Sequence, residues 1–276
     1  MQPKVSIVIP VYNGMPYLKL AVESALAQTY SNIEIIVVDN ASQDGTAQWL
    51  QTLETPLITI IYRKSLQSAA ANWTQAIELA TGLYTKLLCA DDLLDPEIVL
   101  NQVELLEKSP AAVMAACRRR IIDSQGRVLK KHHGLNGLSN HETGAHALRK
   151  CFISGTNLIG ESAAVLFRTE VIKAAMPWHS QWPYVTDIAT YAVALRQGDL
   201  VTDKKVQASF RIATTSWSAA LLSEQEEQFH QWQSAELATG FVSLSVVNRF
   251  ISRVQLKART FARKVFFARE ARKTQS

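Results

Sequence analysis

Along the first third of the chain, short runs of β-branched and aliphatic residues alternate with segments whose apolar positions step by three and four. Val5-Ser6-Ile7-Val8-Ile9 and Ile33-Glu34-Ile35-Ile36-Val37-Val38 are nearly continuous apolar runs, as expected of parallel strands covered on both faces. Between them, Leu18, Ala21, Val22, Ala25 and Leu26 make one stripe, which predicts a helix over 17–28, and Asn13-Gly14 supplies the turn before it. Residues 40–46 are polar and turn-rich, 47–50 read as a short helix and 57–62 as a third strand. A helix over 69–80 is expected to stop at Gly82. Residues 84–89 then form a fourth strand, and Asp95-Pro96 would cap a helix running to Lys108 with Pro at its first position.

Beyond Ser109 the periodicity is weaker. Residues 111–117 and 118–123 read as two strands, Ser124-Gln125-Gly126 as a turn, and 130–146 as a His-, Gly- and Asn-rich loop region without a period. A strand over 162–167, a helix over 169–175 and helical character from residue 223 complete the pattern, which contains no internal repeat. The fold class is therefore α/β, a Rossmann-like, mostly parallel sheet flanked by helices. It divides into residues 1–220, with a nucleotide-binding half 1–109 and a second half 110–220, and a helical extension over 221–276.

Composition supports a folded core, because 47% of the 276 residues are apolar and 19% are charged, enough for one large domain or two modest ones. Cys89, Cys117 and Cys151 are odd in number and scattered, so neither a disulfide framework nor a zinc site is indicated. A reducing, cytoplasmic setting fits. No apolar run is long enough to span a bilayer, and Val5 to Val11, interrupted by Pro10, is too short for a signal-peptide core.

Charge changes the picture at one end. The net charge is +5, yet residues 249–276 hold nine Lys or Arg against Glu270, so the tail carries +8 and the remainder −3. On a helix, Val247, Phe250, Ile251, Val254, Ala258, Phe261 and Val265 share one face, with Arg249, Arg253, Lys257, Arg263 and Lys264 placed opposite. Two readings stand side by side: residues 245–276 lie on an anionic membrane surface, or the helix packs on its own domain with its basic face in water. Nucleic acid is not expected as a partner, since no recognition motif or stacking platform accompanies the basic tail.

Two acidic signatures carry the chemistry. Asp39 follows Val37-Val38, and Asp91-Asp92 follows Leu88-Cys89-Ala90; each carboxylate stands at the carboxyl end of a strand, where open α/β sheets bind ligands. A strand-end Asp is more often a cap or turn residue. Adjacent Asp91 and Asp92 repel each other unless a cation is near, which favours the ligand-binding reading. His132, His133, His141 and His146 are irregularly spaced in polar sequence and read as surface histidines. Gln228-Phe229-His230-Gln231-Trp232 reads as helix packing.

The stretches 5–14, 21–30 and 36–46, then Asn72-Trp73, Ala80-Thr81-Gly82-Leu83-Tyr84, Asp91-Asp92-Leu93-Leu94-Asp95-Pro96 and Gly160 to Arg168 together resemble family 2 glycosyltransferases over residues 4–218. The resemblance implies a GT-A fold, a nucleotide-diphosphate sugar donor (UDP- or dTDP-linked), Mg or Mn, and inversion at the anomeric carbon. It places Asp92 on the metal, Asp91 on the ribose hydroxyls, Asp39 on the edge of the base, and Pro10 and Tyr12 against the base. Asn72 belongs to the donor side, and Asp187 is the candidate general base. The resemblance further implies that 110–220 is the acceptor-binding half and that the acceptor is a hydroxyl of a glycan or lipid-linked glycan in surface polysaccharide or glycolipid assembly; with the basic tail, this would suit a cytoplasmic enzyme lying peripherally on the inner face of the plasma membrane. The chain departs from the family pattern at Asn40, Cys89, Thr186 and Ala213, where Asp, Asp, Glu and His are common. Two other classes compete. A nucleotidyltransferase would show a Gly-rich phosphate loop after the first strand, which Pro10-Val11-Tyr12-Asn13-Gly14 is not, and a non-catalytic nucleotide-sugar or membrane-binding module would bind donor without turnover.

Overall fold

A computed structural model describes residues 2–212, 221 and 223–274, with 268–274 described by backbone alone. The alternation of the first third is present as β1 (Val5–Val11), α1 (Tyr17–Leu26), β2 (Ile33–Asp39), α2 (Thr46–Leu50), β3 (Ile58–Tyr62), α3 (Ala69–Glu78) and β4 (Tyr84–Leu87). There follow β5 (Leu93–Leu94), α4 (Ile98–Glu107), β6 (Ala112–Ile122), β7 (Val128–His133), β8 (His141–Glu142), α5 (Gly144–Ser154) and β9 (Val165–Arg168). Then come α6 (Thr169–Ala174), α7 (Thr186–Leu195), β10 (Asp199–Arg211), α8 (Gln225–Ala238) and α9 (Val246–Thr274).

The strands form one sheet in the order β3-β2-β1-β4-β9-β6-β10-β5, with β7 beside β6 and β8 beside β10. β3, β2, β1 and β4 are parallel, so the carboxyl ends of β1 and β2 open on one rim of the sheet, as the apolar runs of the sequence imply. β9 runs antiparallel to both β4 and β6, while β6 and β10 are parallel. Apolar layers cover both faces. One includes Leu18, Val22, Leu50, Ile98 and Leu106 from α1, α2 and α4; the other includes Ile77, Phe152, Ile172, Ile188 and Trp232 from α3, α5, α6, α7 and α8.

Several sequence expectations are corrected. Asp95 does not cap α4, which starts at Ile98 after Glu97 without a side-chain cap; its carboxylate is engaged by Arg120 through bonds of 2.8 and 2.7 Å. The two strands expected over 111–123 are one. The change from apolar to basic residues inside β6 marks a change of neighbours, with Arg119 buried against Glu161 and Arg120 turned to Asp95 on the other face. Residues 130–146 hold β7, β8 and the start of α5, and the polarity of β7 is that of a strand paired on one side and largely open to solvent. Residues 162–164 are a 3-10 turn leading into β9. Gly82 lies beyond the end of α3 for another reason: a Cβ there would meet the Lys4 carbonyl oxygen at 2.6 Å and the Ser6 nitrogen at 2.8 Å.

The C-terminal helices share the main core. Phe229 and Trp232 of α8, Val242 and Leu244 of the connection, and Leu256 of α9 belong to the same apolar cluster as α5 and α7. Gly155 ends α5 at φ +60°, and a Cβ there would lie 2.6 Å from the Leu256 nitrogen, so α9 crosses this point backbone to backbone.

Candidate active site

The rim is built by three loops that follow parallel strands. Asp39 ends β2 opposite Val11 of β1 and is buried; one carboxylate oxygen accepts from the Ser42 N–H at 3.2 Å. The β1–α1 loop is stitched to the β2–α2 loop. The Asn13 N–H donates to Ser42 Oγ at 2.8 Å, the Gln43 N–H to Asn13 Oδ1 at 2.8 Å, and the Met15 N–H to Asp44 Oδ2 at 2.9 Å. Burial alone would raise the Asp44 pKa, but bonds from the Thr46 hydroxyl and the Met15 and Thr46 N–H groups hold it below its ordinary value. This rigid rim leaves Tyr12 half exposed directly after β1, with Pro10 buried inside the strand.

Asn40 and Asn72 brace the end of β2 from behind. The Asn40 amide donates to the Gln67 carbonyl at 2.9 Å and accepts from the Gln67 N–H at 3.0 Å. An aspartate, lacking the donor, cannot make both bonds. Asn72, expected on the donor side, is buried with its amide bonded to the Val38 carbonyl and to Arg63 Nε, at 3.2 and 3.1 Å.

Asp91 and Asp92 lie in the turn after β4. Ala90 packs against the Gly14 position of the β1–α1 loop, and β1 lies between β4 and β2, the strand that Asp39 ends. Arg211, at the end of β10, clamps this turn. Its backbone N–H donates to Asp92 Oδ1 at 2.9 Å, its Nε to the Asp91 carbonyl at 2.8 Å and its Nη1 to the Asp123 carbonyl at 2.9 Å, and the guanidinium lies 4.5 Å from the Tyr17 ring centroid. Arg211 is thus a positioning residue.

Asp92 Oδ2 is buried and has no hydrogen-bond partner among the described residues. Burial first, then the adjacent Asp91, push the Asp92 pKa well above the carboxylate range, and Glu161 and Asp187 add to it. Asp91 is raised as well, by burial. An unpartnered buried carboxylate oxygen beside a second carboxylate suits an oxygen-preferring divalent cation, which would stabilise both charges. Among the described residues no three His, Cys, Asp or Glu side chains gather into a complete cage. Such a cation would therefore keep positions for phosphate or water oxygens. Cys89 is no rival ligand: burial, then Asp92 and Asp91, push its thiol pKa well up, and its Sγ sits 3.4 Å from Ser162 Oγ.

Asp187 stands in the first turn of α7. Its pKa is raised to about 7 by burial and then by the charge of Glu161, with Arg119 opposing. Asp92, Asp187 and Glu161 thus lie within electrostatic reach of one another, although 187 is remote from 92 in sequence. Thr186, where the family commonly has Glu, bonds its hydroxyl to the His179 carbonyl and so fixes the loop before α7. Sequence reasoning gave no role to Glu161 or Arg119. Arg119 Nη2 donates to Glu161 Oε1 at 2.9 Å and its Nε faces Oε2; burial would raise the Glu161 pKa, but Arg119 lowers it below its ordinary value. The run Arg118-Arg119-Arg120 inside the otherwise apolar β6 was the available signal for this pair.

Of the histidines, His133 lies within electrostatic reach of Arg119 and Glu161, and burial first, then the Arg119 charge, lowers its pKa to about 4. His141 pairs with Asp199 at 2.8 Å and His146 with Glu142 at 2.6 Å. Two hollows, of about 430 and 560 Å³, lie away from the carboxylates, one lined by Arg63, Ala71 and Trp178, the other by Pro110, Arg168 and Gln197. Ala213 falls outside the described residues.

The family model for glycosyl transferase family 2 matches residues 6–174, more than half of the chain. The chain belongs to this family. An uncharacterized glycosyltransferase of Rickettsia typhi is 37% identical over 128 residues, covering 46% of this chain and 40% of that protein. The Escherichia coli UDP-Glc:alpha-D-GlcNAc-diphosphoundecaprenol beta-1,3-glucosyltransferase WfaP is 36% identical over 103 residues, 37% of this chain and 41% of that protein. This family 2 chain therefore spans about two fifths of the length of these relatives. In fold it is similar to S. aureus TarS, with a TM-score of 0.68 at 14% identity over 94% of this chain and 72% of that one, which identifies the sheet and its helices as a GT-A glycosyltransferase fold. The family match stops before Asp187.

Proposed function

We propose that the protein is an inverting glycosyltransferase. It moves a sugar from a UDP- or dTDP-linked donor to a hydroxyl of a glycan or lipid-linked acceptor in surface polysaccharide or glycolipid assembly. What supports this reading above all is Asp92 Oδ2, buried beside Asp91 at the rim and without a partner among the described residues. In the proposal Asp92 holds Mg or Mn, which when bound neutralises charge on the leaving diphosphate. Asp91 accepts from the ribose hydroxyls, Asp39 from the edge of the base, and Pro10 and Tyr12 lie against the base. Asn72 serves the donor side by holding the end of β2 and Arg63. Asp187 takes the proton of the acceptor hydroxyl as its oxygen attacks the anomeric carbon. The bond from that carbon to the diphosphate oxygen breaks, its electron pair leaves with the nucleoside diphosphate, and an α-linked donor gives a β-linked product. A carboxyl with its pKa near 7 suits this role better than an ordinary one. Work on a lipid-linked acceptor sets the enzyme in the cytoplasm, peripherally on the inner face of the plasma membrane; the relative WfaP carries a diphosphoundecaprenol acceptor in its name.

Cation-dependent hydrolysis of a donor sugar tests the proposal. Asp92→Ala is expected to lose about a hundredfold or more of it, and Asp187→Asn to lose transfer to acceptor while still binding donor. Undiminished turnover in Asp92→Ala would remove the metal role.

A further inference from the structure

The C-terminal helix α9 packs on the domain with the face opposite to its apolar one. Ser252 and Leu256 are buried, and polar bonds secure the contact. Ser252 Oγ donates to the Phe152 carbonyl at 2.6 Å and Arg259 Nε to the Ser154 carbonyl at 2.6 Å. Arg263 donates to Thr156 Oγ1 and Gln225 Oε1, each at 2.8 Å, and to the Tyr184 hydroxyl. Arg263, expected on the solvent side, is therefore turned into the protein. At 100° per residue the side facing away from this contact carries Val247, Phe250, Ile251, Val254 and Phe261. Phe250 is 68% and Phe261 71% exposed. Neither reading of the tail taken alone describes this helix: it is packed on its domain, and its apolar face is in water.

We infer that this outward face of α9 docks on an anionic lipid bilayer. A contiguous apolar strip of this kind marks an interaction surface. Its rim says which, since Arg253, Lys257 and Lys264 are exposed along it and residues 241–267 contain no Asp or Glu. A second copy of the helix would bring like charges together with nothing to pair them, whereas anionic headgroups complement them. No helix among the described residues is long and apolar enough to cross a membrane, so α9 lies in the interface. Arg263 ties the docked helix to Tyr184, in the turn that leads into α7 and Asp187, which sets the acceptor side next to the bilayer. The inference rests on the proposed glycosyltransferase reading only for that last consequence.

Cosedimentation of the full chain with phosphatidylcholine vesicles, with and without phosphatidylglycerol, tests it. Removal of residues 245–276 would strip a packed element, so surface substitutions are used: F250D/F261D for the apolar strip and R253E/K257E for its rim. Wild type is expected to bind phosphatidylglycerol vesicles and to weaken in high salt. Each double variant should bind about tenfold or more weakly, with thermal melting and vesicle-free donor hydrolysis unchanged. The inference is overturned if wild type stays in the supernatant, if it binds neutral and anionic vesicles equally, or if F250D/F261D sediments with vesicles as wild type does. It is also overturned if F250D/F261D converts a dimer to a monomer and vesicles are not bound. Because vesicle binding is read without donor, a failed hydrolysis assay leaves this result standing, and the reverse also holds.

Discussion

Asp187 and Arg211 act through surroundings that their own sequence neighbours do not announce. With its pKa raised to about 7 by burial and Glu161, Asp187 is deprotonated, and able to take a proton, only above that value. Transfer should therefore rise with pH through about 7 and level off, while an ordinary carboxylate base would give a flat profile from pH 5. Glu161→Gln removes the second cause of the shift and is expected to move that limb to lower pH. Arg211→Ala would leave the Asp91 and Asp123 carbonyls without partners and cost about 2–4 kcal/mol, checked by urea unfolding. Asn40→Asp should cost about 1–2 kcal/mol, because it deletes the donor to Gln67. Asp39, Asp91 and Asp92 were legible in the sequence, since each follows an apolar strand at a turn. The clamp by Arg211 was not legible, because its partners at 91, 92 and 123 meet it only through β10.

At the scale of elements, the parallel half was legible and the mixed half was not. β1 and β2 are covered on both faces and therefore read as apolar runs, whereas β7 is polar because it is half exposed, and β8 has two residues. Their cohesion comes from polar bonds that carry no periodic signature. Glu142 of β8 accepts from the Ser139 N–H and from Lys150 Nζ, each at 2.6 Å. Burial would raise its pKa, but these bonds lower it to about 2. The folded-state value lies below the unfolded one, so the stabilisation is present above about pH 4.5 and is lost as pH falls toward 2. Glu142→Gln should therefore lower stability by about 2–3 kcal/mol at pH 7 and by little near pH 2, a difference that melting curves across that range would register. The same helix–loop packing fixes α9. Gly155→Ala meets both a φ of +60° and the Leu256 backbone at under 3 Å, and it should cost about 2 kcal/mol or more.

For the whole molecule, one sheet joins a rim of carboxylates to a helical flank whose apolar face points outward. The family pattern supplied the first, and the amphipathic spacing of the tail supplied the second. What the spacing could not supply was which face of α9 meets the domain, because Ser252 and Thr260, the small polar residues that make that contact possible, look like solvent-facing positions in the sequence. The central claim concerns the rim: Asp39, Asp91 and Asp92 receive a cation-bound nucleotide-diphosphate sugar, with Asp187 facing it. Thermal melting with a panel of nucleotide-diphosphate sugars, with and without Mn, measures this most directly, since a ligand that binds only the folded state raises the melting point. The account predicts that a UDP- or dTDP-sugar raises the midpoint of wild type and Asp187→Asn by several degrees only when Mn is present, and that Asp92→Ala loses this increment. An increment as large in Asp92→Ala as in wild type, or no response to any nucleotide sugar, would contradict it.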